Sequence, residues 1–302
     1  NIYNQQWSFT IQRQSFAGIL LEVGYAGNRG VNIPVSRDFN QIDPKYQSLG
    51  NALSQTVDNP FFGLVTLGNL SLQRVSRAQL LRPYPQYVGV NTNSPAVAQN
   101  MGISGYHSLQ VRAEKRFARG YNVTMVYTKA KLIDNGSGRI FGESAFVPPV
   151  QNAYNLAAER SISEGDVSQR LVISHAVQIP VRRIHPVLDH ATRGWSVSGQ
   201  FSGNTGFPLV LSSIGNSGVG GGVLRPNSTG VSAKLSGDPQ SRLLRYFDTS
   251  QFTVPPAFTF GNTSRTLADV RGPGRVAYNA ALQKAFPIRE KIRALFRAEA
   301  FN

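Results

Sequence analysis

The chain has 302 residues, a formal net charge of +15 and no cysteine, and only 16% of its residues are charged, against about 25% in a typical soluble domain. The absence of cysteine excludes disulfide scaffolds, thiolate metal sites and cysteine nucleophiles. No apolar run approaches the roughly 18 residues that a membrane-spanning helix needs. A β-barrel is still allowed, because its strands need only about 9–11 residues with every second one apolar.

Apolar residues recur at every second position in eight segments of the chain. In the first segment Trp7, Phe9 and Ile11 are separated by polar residues. Alternation with a period of two predicts β-strands with one apolar and one polar face. The eight predicted strands are residues 7–13, 18–27, 106–117, 121–134, 169–181, 195–208, 278–286 and 291–302.

The connections between these strands alternate between short and long. The long ones are residues 28–105, 135–168 and 209–277. Loops beyond about 15 residues are uncommon in compact soluble domains, whereas outer-membrane barrels have short periplasmic turns and long extracellular loops. We therefore predict an all-β fold: an antiparallel transmembrane β-barrel segment that supplies about eight strands of a larger barrel.

Aromatic and charged residues refine this prediction. Tyr121, Trp195 and Phe286 lie beside the shorter connections, and Tyr25 and Tyr127 lie beside long ones. This placement is typical of two interfacial aromatic girdles, although aromatic residues also favour strands in general. Charged residues occupy alternate positions in two strands, which suits a wet barrel interior or the solvent-exposed face of a soluble sandwich. These inward positions are Arg112, Glu114, Arg116, Arg293, Arg297 and Glu299.

Sequence motifs of enzymes and cofactor sites are not found. The chain has no nucleophile elbow and no phosphate-binding loop, so we expect neither catalysis nor a cofactor. His185 and His190 could ligate a metal, but their spacing is more typical of a solvated turn, and we predict no metal site. A cation site could be formed by Asp134, Glu164 and Asp166, which lie in or near one loop. The sequence favours the other interpretation, an ordinary polar loop.

The basic residues are spread over loops and strands rather than clustered on one face. A nucleic-acid-binding surface would be clustered, so no nucleic-acid partner is expected. Scattered arginines suit anionic lipid headgroups or an anionic solute. In the loop stretch 81–87 an arginine is interleaved with aromatic rings, and we predict Arg82, Tyr84 and Tyr87 as ligand-contacting residues; a rigid, proline-braced loop is the other interpretation.

Five stretches, in consistent order, resemble the large TonB-dependent, Oar-like outer-membrane receptors that carry an N-terminal carboxypeptidase-regulatory-like domain. The resemblance covers most of the chain. The stretches are LRPYPQY (residues 81–87), GYHSLQVR (105–112), DVSQRL (166–171), DVRGPG (269–274) and FRAEAFN (296–302).

This resemblance implies a barrel of about 22 strands with a plug in its lumen, driven by a TonB-type energy-transducing complex. The sequence shows no plug, no TonB box, no regulatory-like domain and no terminal strand ending in an aromatic residue. We therefore expect residues 1–302 to be a partial barrel domain from the C-terminal half of such a receptor, with lipid of the outer membrane as its surroundings.

The predicted function is that of an outer-membrane receptor segment that binds and imports a large, scarce solute. A saccharide, a metal chelate and a peptide all fit as the solute. The alternative is a surface β protein that binds glycans or mediates adhesion.

Overall fold

The computed structural model describes residues 1–15, 18–88, 99–118, 120–136, 150–179, 193–289 and 292–302. The strands are β1 (Tyr3–Gln14), β2 (Ile19–Val35), β3 (Thr56–Asp58), β4 (Arg74–Ser76), β5 (Gln99–Ala118), β6 (Tyr121–Asp134), β7 (Ser161–Ile162), β8 (Gln169–Gln178), β9 (Trp195–Asn204), β10 (Asn227–Ser228), β11 (Phe252–Thr253), β12 (Arg275–Arg289) and β13 (Ile292–Ala300). The helices are α1 (Arg77–Leu80) and the 3-10 helices Pro44–Ser54, Asn69–Ser71, Leu156–Glu159, Pro239–Arg245 and Thr249–Gln251.

The eight long strands form one antiparallel sheet in the order β1-β2-β5-β6-β8-β9-β12-β13, and β7 pairs with the end of β6. Each long strand is therefore hydrogen-bonded to the next long strand along the chain. The three long connections leave from one end of the sheet and the short connections from the other. The eight predicted strands and the alternation of connection lengths are confirmed.

Several strands are longer than the sequence pattern indicates. β2 was predicted to end at residue 27 but continues to Val35, and β5 begins at Gln99 rather than at residue 106. The pairing of these two strands shifts between Val31 and Ile33, where Asn32 has a φ of 59°. Asparagine tolerates this left-handed conformation, and the resulting irregularity breaks the alternation without ending the strand.

The two faces of the sheet differ as the alternation predicts. Ile173 stands opposite Met125 on one neighbouring strand and Phe201 on the other, and this face is apolar along most of the sheet. We call it the outward face. The opposite, inward face carries Ser, Thr, Asn, Gln and paired charges, such as Arg112 and Glu114, whose Nη2 and Oε2 atoms lie 2.7 Å apart.

Two polar residues on the outward face have partners that explain their position. His175 Nε2 lies 2.8 Å from Tyr278 Oη, and the two rings stack on each other. They lie above Gly199, where a side chain on the strand would collide with both rings. Lys284 is almost fully buried, and its ammonium lies over the rings of Trp195 and Phe286, 5.2 and 4.8 Å from their centres. Cation–π contacts of this kind stabilise a cation near a membrane interface.

Some sequence predictions concern residues that the structure does not describe. His185 and His190 lie outside the described residues, as does the side chain of Arg116. None of the helices in the described ranges is long and apolar enough to cross a bilayer.

Candidate functional site: the loop cap

The long connections pack against one another at their end of the sheet. We define the loop cap as residues 36–88, 150–168 and 205–274. Among the described residues, the most deeply buried ones lie in the loop cap or directly beside it, whereas most strand residues are at least partly exposed. Of the described side chains that are less than 2% exposed, only that of Val35 belongs to a long strand, and Val35 is the last residue of β2. The packed interior is therefore in the loop cap.

Buried glutamine side chains join the three connections. Gln41 Nε2 donates to the carbonyl oxygens of Gln151 and Gly220, each at 3.4 Å. Gln151 Nε2 donates to Gly261 O at 3.0 Å, and its Oε1 accepts the backbone N–H of Arg225 at 2.7 Å. A side-chain amide can both donate and accept, so Gln41 of the first connection and Gln151 of the second bind backbone groups of the second and third connections and join all three.

Three arginines of the last connection bind carboxylates at the middle one. Arg225 Nη1 lies 2.9 Å from Glu159 Oε2, and both side chains are nearly inaccessible to solvent. Arg265 pairs with Asp134 and with Glu164, and Arg271 pairs with Asp166. The carboxylates Asp134, Glu164 and Asp166, for which a cation site was one interpretation, thus have arginine partners.

The structure brings the three predicted contact residues close together in one loop but gives them different environments. Arg82 is partly buried, and its Nη1 donates to Asn40 O at 2.8 Å. Burial lowers the pKa of the Arg82 guanidinium. Tyr84 and Tyr87 are 48% and 55% exposed. The guanidinium therefore holds the loop, whereas the two tyrosine rings are presented to solvent.

Asn40 and Gln79 fix the backbone that carries these rings. Asn40 Nδ2 donates to the carbonyl oxygens of Tyr84 and Tyr87 at 3.0 and 2.7 Å, and its Oδ1 accepts the N–H of Tyr84. Gln79 Nε2 donates to Tyr87 O at 2.9 Å and also to Pro85 O. Neither residue was predicted from the sequence, because the sequence does not indicate which backbone groups a polar loop side chain will bind.

An exposed apolar surface lies next to this loop. The hairpin of β3 and β4 presents Phe62, Leu64 and Leu67 to solvent, and the last two are about 80% exposed. Gly68 in the same hairpin approaches the backbone of Gln86, so the hairpin tip and the Tyr84–Tyr87 loop are neighbours. We call residues 61–72 with Tyr84 and Tyr87 the apolar tip; its hairpin part was also missed, because the sequence does not indicate which loop residues stay exposed.

Comparison with known proteins supports the membrane assignment. No curated protein matches the sequence. The family described as the outer membrane beta barrel domain matches the chain over residues 1–302, its full length. Together with the antiparallel meander, the apolar outward face and the one-sided long loops, this match places the protein in the outer membrane, with the loop cap on the extracellular side. The chain belongs to the outer membrane beta barrel domain family.

Proposed function

We propose that this barrel domain is part of a TonB-dependent receptor that captures a large, scarce solute with its extracellular loops and imports it. The observation that carries the proposal is the loop cap, in which three long connections are joined by buried polar contacts and ion pairs. Ordering long loops costs conformational entropy. A rigid cap reduces the entropy lost when a ligand binds, which favours a binding role.

The apolar tip is the proposed capture surface. Exposed contiguous apolar patches mark ligand or protein contact sites in proteins. Rings of Tyr84 and Tyr87, held from behind by Asn40 and Gln79, can stack against the flat faces of sugar rings or of aromatic chelators. Arg82 acts in this proposal as a positioning residue, because its guanidinium donates to the backbone of Asn40.

The remaining steps are drawn from the resemblance alone. Import would require a plug in the lumen and a pull from the TonB-type complex. The inward face, with its hydroxyl, amide and paired charged groups, is compatible with the wet passage that such a mechanism needs. Binding, rather than chemical conversion of the solute, is the proposed activity of this domain.

The experiment compares uptake of labelled saccharides, metal chelates and peptides by a deletion strain and by strains complemented with the full-length receptor. We expect one solute class to depend on the receptor. The Tyr84→Ala/Tyr87→Ala double variant should lower its uptake at least tenfold, because both stacking rings are lost. Phe207→Ala is the matched control, since Phe207 is also 55% exposed and lies elsewhere in the loop cap.

Two results would contradict the proposal. In the first, no solute changes in uptake when the gene is deleted. In the second, the deletion leaves uptake intact but abolishes attachment of cells to a glycan-coated surface, which is the result that the adhesion alternative predicts.

A further inference from the structure

Charges are distributed unequally between the two faces of the sheet. Within the described residues of the eight long strands, all four carboxylates lie on the inward face: Glu22, Glu114, Asp134 and Glu299. On the outward face Arg29, Lys129 and Lys131 have no carboxylate beside them among the described residues. A lipid-facing cation is costly unless it meets an anion, so this asymmetry calls for a partner outside the protein.

Three of these outward cations lie near the loop end of β2 and β6, on neighbouring positions of the sheet. Lys131 stands opposite His107, and Lys129 stands opposite Leu109, all on the outward face. Arg29 stands opposite Gly105 on the same face. Neighbouring strands are about 4.8 Å apart, so Arg29 and Lys131 start from backbones on the order of 10 Å apart. Arg160 precedes β7, which pairs with β6 beside these residues.

A cavity of about 360 Å³ is lined by Arg29 and Arg160, and Lys131 lies beside it, because it pairs with His107 of the cavity wall. Gly105 in the lining faces open space, because a Cβ atom there would meet nothing within 4 Å. His107 forms one wall, held by a 2.7 Å contact between its Nδ1 and Tyr25 Oη. Asp134 also reaches the cavity, but its carboxylate is already paired with Arg265. The other principal lining residues are Trp7, Arg29, Ile133 and Arg160.

We propose that this basic notch, defined as Arg29, Lys129, Lys131 and Arg160 around Gly105, binds the phosphate groups of an anionic lipid in the outer leaflet. Arginine and lysine are the usual phosphate-binding side chains. The four side chains are exposed, and none forms an ion pair with a carboxylate of the described residues. The notch lies where the headgroups of the extracellular leaflet meet the barrel, because it is outward-facing and next to the loop cap.

A lipid fits this site better than a free solute for two reasons. The face below the notch is apolar, with Val23, Val111 and Tyr127 side by side on β2, β5 and β6, and acyl chains would cover that surface. Trp7 and Tyr25 occupy the level at which aromatic residues contact lipid headgroups. The proposal is independent of the importer function, since it requires only that the barrel sits in the outer membrane.

The test measures binding of diphosphoryl lipid A to the purified full-length barrel in detergent by native mass spectrometry, with dephosphorylated lipid A as the matched ligand. We expect the wild-type barrel to retain the diphosphoryl form at least tenfold more strongly. Each basic residue near a headgroup contributes about 1 kcal/mol, which is roughly fivefold in affinity. Lys131→Gln should therefore weaken binding about fivefold, and the quadruple change to glutamine should abolish the preference for phosphate.

Arg13→Gln is the matched control, because Arg13 is an exposed cation of the outward face near the short turn after β1; it should leave binding unchanged. Gly105→Val tests the shape of the notch without changing charge, and it should weaken binding because the side chain fills the cavity. Variants are accepted only if they keep the heat-dependent gel mobility of the folded barrel.

Three results would overturn the proposal. One is equal retention of phosphorylated and dephosphorylated lipid by the wild-type barrel, a measurement that needs no variant. Another is unchanged binding in the folded quadruple variant. The third is displacement of the lipid by millimolar inorganic phosphate, which would mean that the notch recognises a free anion instead of a headgroup.

Discussion

The loop cap and the eight-stranded sheet are stabilised by different means. The loop cap has a packed interior like that of a soluble protein. It contains buried ion pairs such as Arg225–Glu159 and a small apolar cluster around Ala233, Leu267 and Val270. The sheet has no such interior among the described residues; it exposes Phe9, Ile11 and other large apolar side chains on its outward face. The apolar side chains of the sheet are covered by lipid, whereas the loop cap buries its apolar side chains within its own fold.

This difference predicts that the two regions respond separately to substitution. A change in the loop cap should loosen the loops and leave the strands paired. A change on the outward face should affect insertion of the barrel and leave the ion pairs of the cap intact. The following four predictions, which concern the full-length barrel in detergent or lipid, test that separation.

The largest effect is expected for Arg225→Ala, which leaves Glu159 buried without its partner. Removing one member of a buried pair costs about 3–5 kcal/mol. Hydrogen exchange should become much faster in residues 150–168 and 205–274, with the strands unchanged. Arg245→Ala is the control, because Arg245 is mostly exposed and lies 3.9 Å from Asp248; exchange that is equally slow in both variants would contradict the prediction.

The outward face is tested by Ile173→Arg, since Ile173 lies between Met125 and Phe201 on the apolar side of the sheet. A cation near the middle of the bilayer costs about 2–4 kcal/mol in an outer-membrane barrel. Folding into lipid vesicles, followed by denaturant titration, measures that loss. Ser174→Arg places the same charge on the inward face and should cost far less; equal losses would show that the faces are assigned wrongly.

A tight contact between backbones in the loop cap is tested by Gly261→Ala. A Cβ atom at Gly261 would lie 1.8 Å from Arg225 O, so the chain must move, at a cost of about 1–3 kcal/mol. Limited proteolysis should cleave the variant faster within the loop cap. Gly165→Ala is its control, because a Cβ there is 4.0 Å from the nearest atom; similar cleavage rates for the two variants would refute this expectation.

The smallest effect is expected for Tyr278→Phe, which removes the hydroxyl that contacts His175. Side-chain hydrogen bonds between membrane segments contribute about 0.6 kcal/mol on average, so the midpoint of denaturant unfolding should fall slightly. For comparison, Tyr121 is an outward tyrosine whose hydroxyl has no hydrogen-bond partner among the described residues. Tyr121→Phe should have no effect, and a larger loss there than at Tyr278 would argue against the His175 pairing.

The candidate site was predictable only in part. The loop stretch 81–87 was identified from its aromatic rings, and Tyr84 and Tyr87 are exposed there. The role of Arg82 could not be predicted, because its guanidinium donates a hydrogen bond to the backbone carbonyl of Asn40, which lies 42 positions earlier in the chain. Likewise, Asp134 and Arg265 are 131 positions apart, and no local pattern connects them.

The sequence by itself determined the strands, their two faces and the alternation of short and long connections. These features follow from a period-two pattern that each strand carries within its own residues. Only the tertiary structure decided which arginine meets which carboxylate, that His175 has Tyr278 as its partner, and which loop residues remain exposed. The physical reason is that burial and pairing in the loop cap depend on contacts between segments far apart in the chain.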